Sequence, residues 1–392
     1  MFRRLKNHPR LSPATRALAS LLFCALLVGC DAGIPQNPKP SAAAVLGTND
    51  VIAILDRSQQ LNTIKTAATE QGYRFVRTTP LPALDKVLVT FEKPDSVTGA
   101  QAIAFLEAAE PASVVGINHA YRLQAVTQQI DPRNYAQELI DWPLDGCAAQ
   151  VPVGLIDTQV DTSAPSVTGA RVVSRHFGRE DAFSGRHGTE VASVLADPRR
   201  LKGVTIYNAS VMSRTQNGAQ LAGADALIQS LDWLAGQNVR IVNISLAGPY
   251  NKILEIAVNE AAARGLILVA SVGNFGSNAG PFYPAAFDNV IAATAVDANG
   301  DIYNRAVQGP FVDIAAPGVD IYVPSDTGGR FVTGTSFAAP FVTARIAADP
   351  RYFRARSAQR IRQLFAQEST DLGPEGTDAT FGTGLLKGPA SC

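Results

Sequence analysis

Apolar positions follow two different patterns, each confined to its own part of the chain. In the first part, short strand-like runs alternate with two amphipathic stretches in the order β-α-β-β-α-β. The predicted strands cover residues 51–55, 73–77, 87–91 and 114–117, and the predicted helices cover residues 59–70 and 98–109. This order favours a small α+β domain of the ferredoxin-like type, with both helices on one face of an antiparallel sheet.

The second pattern begins near residue 131 and continues to the end of the chain. Apolar runs rich in Val and Ile cover residues 151–157, 239–245, 265–271 and 290–295, and helical stretches such as 221–236 and 253–264 lie between them. Such runs predict an α/β domain in which helices cover both faces of a mostly parallel sheet. Functional groups of these sheets gather at the carboxyl ends of the strands, where Asp157, Ser245 and Asn274 fall.

The first residues of the chain fit neither pattern. Five cations and no acid lie within residues 1–16, and an uncharged run follows at residues 17–28. A helix of that length is too short to cross a bilayer core of about 30 Å. The segment is therefore predicted to be an export signal.

This leader ends in Leu-Val-Gly-Cys, which resembles the lipobox of bacterial lipoproteins. The resemblance implies a signal peptide over residues 1–29, a lipid on Cys30, and a membrane anchor that faces the periplasm or the cell exterior. Residues 30–48 contain several prolines and alanines and are predicted to be a flexible tether. An ordinary signal peptide with a chance cysteine and a transmembrane anchor are the alternatives.

The composition of the chain argues against some classes of protein function. The chain has 392 residues, of which 46% are hydrophobic, so it can form a packed core. Its 34 basic and 34 acidic residues balance, but without the five leader cations the difference is 29 − 34 = −5. A mildly acidic body gives no electrostatic basis for nucleic acid binding. Asp297, Asn299 and Asp301 are more typical of a turn than of a calcium site, and no metal or cofactor is predicted.

The four cysteines divide into two pairs. If the leader is a lipoprotein signal, Cys24 leaves with the signal peptide and Cys30 carries the lipid, which leaves Cys147 and Cys392 in an oxidising compartment. These two are predicted to form a disulfide, with two free thiols as the alternative.

One of the four histidines is placed to act as a base. His8 lies in the leader, His119 in the small domain and His176 in a strand-like run, whereas His187 opens the amphipathic helix HGTEVASVL. An imidazole at a helix start beside a cleft can activate a hydroxyl nucleophile. A capping role is the alternative.

Ser336 is the candidate nucleophile. It lies in GTSFAAP, where small residues allow a substrate backbone to approach and an apolar helix begins. The helix N-terminus places positive potential and free amides beside the hydroxyl. A plain N-cap serine is the alternative. Asn274, in GNFGS after a buried strand, offers a side-chain amide that can hold a tetrahedral oxyanion.

Together, four motifs in the order Asp, His, Asn and Ser resemble the subtilisin-like serine peptidases, or subtilases, over about 250 residues. They are IDTQVD with Asp157, HGTEVAS with His187, SVGN with Asn274 and GTSFAAP with Ser336. The resemblance implies a catalytic domain over residues 131–392 that cleaves proteins or peptides through a Ser-His-Asp triad. It also implies a substrate-binding strand in NISLAGP that contains Ser245, Leu246, Ala247 and Gly248.

Residues 49–125 resemble, more loosely, the propeptides of this family, which aid folding and block the cleft. A cut in residues 121–131 would release the catalytic domain from the lipid anchor. A permanent binding domain is the alternative for this unit.

Motif order excludes other hydrolases. An α/β-hydrolase needs a histidine after its nucleophile, and no histidine follows Ser336. Neither zinc peptidase motif, H-E-x-x-H or H-x-x-E-H, occurs. Three residues depart from the subtilase pattern: Gln159, Glu190 in place of a second histidine, and Ala247 in place of a glycine. A non-catalytic lipoprotein that uses the scaffold as a binding module is the alternative function.

Overall fold

The protein is described from a computed structural model, which covers residues 49–56, 60–123, 126–128, 135–179, 185–214, 220–325, 328–390 and 392. The predictions for the leader, the lipobox and the tether lie outside these residues. No helix within the described ranges is long and apolar enough to cross a membrane.

The N-terminal unit is a four-stranded antiparallel sheet with two helices. Its strands are β1 (Asp50–Leu55), β2 (Arg74–Leu81), β3 (Lys86–Glu92) and β4 (Val114–Ile117), and its helices are α1 (Gln60–Glu70) and α2 (Gly99–Ala109). The strand order β2-β3-β1-β4 is that of the predicted ferredoxin-like fold. Thr98 and Gln101 form a capping box that fixes the start of α2.

The two faces of β1 belong to two different cores. Val51, Ala53 and Leu55 pack in the core of the N-terminal unit, whereas Ile52 and Ile54 pack in the core of the larger unit. This follows from the alternation of side chains along a strand. The open face of the small sheet therefore lies against the larger unit.

The larger unit is built on a parallel sheet of seven strands, in the order β18-β17-β16-β14-β8-β11-β9. These strands are β8 (Val153–Asp157), β9 (Arg171–His176), β11 (Thr205–Ser210), β14 (Ile241–Ile244), β16 (Ile267–Ser271), β17 (Val290–Val296) and β18 (Ile314–Pro317). The helices are α3 (Tyr135–Leu139), α4 (Arg186–Leu195), α5 (Ala224–Ala235), α6 (Lys252–Ala263), α7 (Thr335–Ala348), α8 (Pro350–Phe353) and α9 (Ala358–Glu368). The predicted α/β class with a parallel, helix-covered sheet is confirmed.

Short strands complete the architecture. They are β5 (Ala120–Leu123), β6 (Val126–Gln128), β7 (Cys147–Ala148), β10 (Leu201–Lys202), β12 (Met212–Arg214), β13 (Gln220–Gly223), β15 (Leu246–Ala247), β19 (Ile321–Val323) and β20 (Arg330–Thr333). One small sheet has the order β12-β13-β5-β15 and another the order β19-β20-β6. The helix predicted to begin at residue 221 begins at Ala224, because the residues before it pair as β13.

A disulfide attaches the last residue of the chain to the domain, and a buried helix lies at the centre of the domain. A disulfide joins Cys147 to Cys392, whose Cα atoms lie 4.9 Å apart. Helix α7 is buried along its whole length and packs against β14, β16, β17 and β18. Its N-terminus therefore lies among the groups at the carboxyl ends of these strands.

Candidate active site

Asp157 is the last residue of β8 and is completely buried. Its Oδ1 accepts a hydrogen bond from the backbone N–H of Thr158 at 2.6 Å. Both carboxylate oxygens lie within hydrogen-bond distance of Nδ1 of His187, at 2.8 and 2.9 Å. A carboxylate only accepts, so the Nδ1 nitrogen carries the proton. In the neutral ring, Nε2 is then the basic nitrogen.

The loop that carries Asp157 also holds the start of the His187 helix. Helix α4 has no side-chain cap of its own at Gly185. Instead, the Thr158 hydroxyl donates to the Gly185 carbonyl at 3.1 Å and accepts from the Gly188 N–H at 2.8 Å. A Cβ at Gly188 would lie 2.5 Å from the Thr158 carbonyl oxygen, so only glycine allows this approach. One loop thus positions both partners of the Asp157–His187 contact.

Ser336 lies in the first turn of α7 and is completely buried. Pro340, four residues later, has no N–H and cannot bond to the Ser336 carbonyl. That carbonyl accepts instead from the Ser245 hydroxyl at 2.9 Å. The ring of Phe337 lies 5.6 Å from the ring of His187, centroid to centroid, and helices α4 and α7 pack together. The nucleophile candidate and the base candidate thus belong to one packed cluster.

Asn274 follows β16 and faces the same helix start. Its Oδ1 accepts hydrogen bonds from the Thr335 backbone N–H at 3.0 Å and from the Thr335 hydroxyl at 2.9 Å. Since the oxygen end of the amide is turned toward Thr335, the N–H₂ end is turned away from it. The preceding Gly273 has a φ of +102°, a conformation that glycine adopts without strain. The arrangement presents an amide donor beside the start of α7, as an oxyanion site requires.

The predicted substrate-binding residues follow the carboxyl end of β14, an inner strand of the parallel sheet. Ser245 and Leu246 are fully buried, and Ala247 is almost so. Leu246 and Ala247 form β15, which pairs with β5 of the N-terminal segment. Gly248 exchanges two backbone hydrogen bonds with Tyr283, at 2.8 and 2.9 Å.

Other sequence candidates lie elsewhere. His176 ends β9 and lies 3.1 Å from the Ser210 hydroxyl. His119 accepts from the Asn251 amide at 3.2 Å, and burial lowers the pKa of His119. Asp297 accepts from the N–H groups of residues 299 and 301, so this segment is a turn. Within the described ranges, no group of three His, Cys, Asp or Glu side chains is placed to hold a metal ion.

Sequence reasoning missed two strands that border the site. Strands β13 and β20 are only four residues long, and neither shows an apolar period that marks a strand. Strand β13 pairs with β5 as well as with β12, and β20 pairs with β6 as well as with β19.

Comparisons with known proteins agree with the geometry. Residues 148–384 match the profile described as the subtilase family. Subtilisin DY from Bacillus licheniformis is 32% identical over 254 residues, which are 61% of this chain and 89% of that protein. The thermostable alkaline protease from Halalkalibacterium halodurans is 32% identical over 247 residues, which are 60% of this chain and 65% of that protein.

A similar fold is found in the crystal structure of fervidolysin from Fervidobacterium pennivorans, a keratinolytic enzyme related to subtilisin. The TM-score is 0.67 at 20% identity, and the match covers 86% of this chain and 60% of that one. The chain therefore belongs to the subtilase family. By class it is a serine protease with the subtilisin fold.

Proposed function

We propose that the protein is an exported serine endopeptidase in which Ser336, His187 and Asp157 form the catalytic triad. The observation that carries the proposal is the buried Asp157–His187 contact, at 2.8 and 2.9 Å, in the same cluster as the start of α7. The family match supports the same reaction class. Asn274 and the Ser336 backbone N–H are the proposed oxyanion donors.

The proposed reaction is acyl transfer in two halves. His187 takes the hydroxyl proton of Ser336 at Nε2 while the serine oxygen bonds to the substrate carbonyl carbon. Asp157 stabilises the imidazolium, which then gives the proton to the leaving amine as the peptide bond breaks. Water attacks the acyl-enzyme by the same route and releases the carboxylic acid product. Asn274 stabilises both tetrahedral intermediates.

Two substitutions test this assignment. In a subtilisin, loss of the nucleophile lowers kcat about 10⁶-fold, and loss of the oxyanion asparagine about 10²- to 10³-fold. We expect Ser336→Ala to abolish peptide cleavage and Asn274→Ala to leave measurable activity. A fluorophosphonate probe should label the wild type and neither Ser336→Ala nor His187→Ala. Equal loss of activity in the two variants would contradict the separate roles.

The N-terminal unit is proposed to be a propeptide that occupies the substrate cleft. Strand β5 pairs antiparallel with β15 on one edge and β13 on the other, which is how an extended substrate adds to a sheet. Leu123 lies opposite Leu246, and Val126 in β6 lies opposite Thr333 in β20. Ser336 follows Thr333 by three residues. This register supports self-cleavage of one peptide bond between Leu123 and Val126.

N-terminal sequencing of the processed protein tests the cut. We expect the larger fragment to begin at residue 124, 125 or 126, and the Ser336→Ala chain to stay uncut. A larger fragment that begins outside residues 124–126 would overturn the proposed register. A cut in the Ser336→Ala chain would show that another protease makes it.

Membrane anchoring through a lipid on Cys30 is proposed from the lipobox alone. The lipid would stay with the propeptide after the cut, and the catalytic domain would be released into the periplasm or the cell exterior. Labelling with a lipid precursor should mark a fragment of about 10 kDa in the wild type, at about 110 Da per residue. It should mark the full-length chain in Ser336→Ala and nothing in Cys30→Ser. Label on the larger fragment would contradict the proposal.

A further inference from the structure

A buried ion pair lies beside the proposed base. Glu190, on the same helix as His187 and one turn after it, pairs with the guanidinium of Arg330. Only 7% of the Glu190 side chain and 17% of the Arg330 side chain are exposed. Residues three apart on a helix are neighbours on its surface, so the pair lies close to the imidazole.

This pair joins the helix that carries the proposed base to the strand that leads into the proposed nucleophile. Helix α4 carries His187, and β20, which begins at Arg330, leads through Gly334 and Thr335 into Ser336. The same strand pairs with β6, which follows the proposed cleaved bond. A shift between α4 and β20 would therefore move the base relative to the nucleophile and to the bound chain.

A pocket that is open to solvent lies between helix α4 and the segment that leads into β20. The pocket has a volume of about 470 Å³, and its walls include Arg186, Thr189 and Glu190 of α4 on one side and Val323, Pro324, Ser325, Gly329 and Arg330 on the other. Close-packed side chains fix distances in a protein interior, and the two walls of the pocket lack such contacts with each other across the open space. Glu190 and Arg330 form a polar contact between the two walls.

We propose that Glu190 and Arg330 are positioning residues that fix helix α4 against strand β20, and that their opposite charges cancel at His187. The proposal rests on the proposed function, because it concerns the base of that reaction.

Substitution of Glu190 or Arg330 leaves the other charged or titratable groups around helix α4 unchanged. They are Arg186 on α4, Asp161 on the pocket wall, Asp157 on β8 and Arg200, whose guanidinium donates to the Val194 carbonyl of α4. Removal of one partner of the pair therefore leaves a single uncancelled charge near the imidazole. A negative charge favours the imidazolium and a positive charge disfavours it.

The pH dependence of kcat/KM gives a test with opposite signs. In Glu190→Gln the cation remains, so we expect the acidic limb of the profile to move to lower pH by about 0.5 unit. In Arg330→Gln the anion remains, so the limb should move to higher pH by about the same amount. The double variant should return to within about 0.2 unit of the wild type, and kcat should fall about 10-fold in each single variant.

Matched controls use an exposed ion pair far from the site. Asp141 and Lys387 lie 3.2 Å apart, and their side chains are 72% and 44% exposed. Asp141→Asn and Lys387→Gln should leave the profile unchanged. Shifts of the same sign in both single variants of the buried pair, or no shift in either, would overturn the proposal.

Labelling separates this proposal from the proposed function. All variants are made in the full chain and assayed after its own processing, and fluorophosphonate labelling counts the active molecules. If the wild type is not labelled, the proposed function fails. If labelling is normal and the profiles do not move in opposite directions, only the ion-pair proposal fails. If a single variant does not fold, the sign of the other and the double variant still decide.

Discussion

At the scale of single residues, two side chains form hydrogen bonds with backbone groups that would otherwise lack a partner at a helix start. Thr158 supplies the missing cap of α4, and Ser245 satisfies the carbonyl that Pro340 leaves without a donor. A buried polar group without a partner costs free energy, so each of these contacts restricts where its neighbour can lie. The same contacts therefore restrict the positions of Asp157, His187 and Ser336.

Asp349 is a residue whose charge stabilises the C-terminal helices. Burial acts to raise the pKa of Asp349, but hydrogen bonds from Arg351 and Arg345 outweigh it and lower the pKa to about 2. A lowered carboxylate pKa adds stability that is complete above the ordinary value of 3.8 and is lost as the pH falls toward 2.

We therefore predict that wild-type stability falls relative to Asp349→Asn on acidification. The difference in free energy of unfolding should shrink by up to about 1 kcal/mol between about pH 5 and about pH 3, less what solvent screening removes. Urea unfolding in a Ser336→Ala background measures it without autolysis. The exposed Asp141→Asn variant is the control, and a pH-independent difference would contradict the assignment.

At the scale of elements, charges and helix starts hold the N-terminal unit on the larger unit. Asp50 and Arg77 of the small sheet pair with Arg179 and Asp225, and the last two lie 3.9 Å apart. Asn118 accepts from the N–H of Asp225 at the start of α5 at 3.1 Å. The charges at the interface thus alternate in sign, and Asn118 caps the start of α5.

Loss of one of these cations should weaken the complex that remains after the proposed cut. Arg77→Gln leaves the buried Asp225 with a more distant partner, so we expect the dissociation constant of the small fragment to rise about 10-fold. Gel filtration of processed protein at rising salt measures it, because salt screens the remaining pairs.

Arg74→Gln is the matched control on the same strand. Arg74 pairs with Glu92 inside the small unit, where its side chain is 70% exposed. This variant should behave like the wild type. If the small fragment separates from the large one at the same salt concentration in Arg74→Gln and Arg77→Gln, the interface charges do not hold the fragment in place.

At the scale of the whole molecule, a disulfide links positions 245 residues apart. A cross-link over so long a loop restricts the unfolded chain strongly, and the chain-entropy model gives about 5.5 kcal/mol. Cys147 is buried next to the main core, whereas Cys392 is exposed. Substitution of the terminal cysteine therefore removes the bond without opening a cavity.

We predict that Cys392→Ser lowers the free energy of unfolding by about 2 to 5 kcal/mol. Denaturant unfolding of this variant in the Ser336→Ala background measures the loss. A reductant should lower the stability of the Ser336→Ala parent by a similar amount and leave the Cys392→Ser variant unchanged. An equal response of both proteins to the reductant would contradict a stabilising bond.

The sequence by itself determined the elements with strong periodicity and the order of the motif residues. The β-α-β-β-α-β order fixed the small sheet, and the apolar runs of β8, β14, β16 and β17 fixed a parallel sheet whose strand ends carry Asp157 and Asn274. These features are local, because burial on one or both faces imposes a period on the residues themselves.

Only the tertiary structure decided which distant segments meet. Strand β5 lies between β13 and β15, and Glu190 meets Arg330 across a pocket, although 140 residues separate the two. Strands of two to four residues have no readable period, and an ion pair leaves no mark on the spacing of either partner. Their positions follow from packing and from backbone hydrogen bonds that are satisfied only when the whole chain has folded.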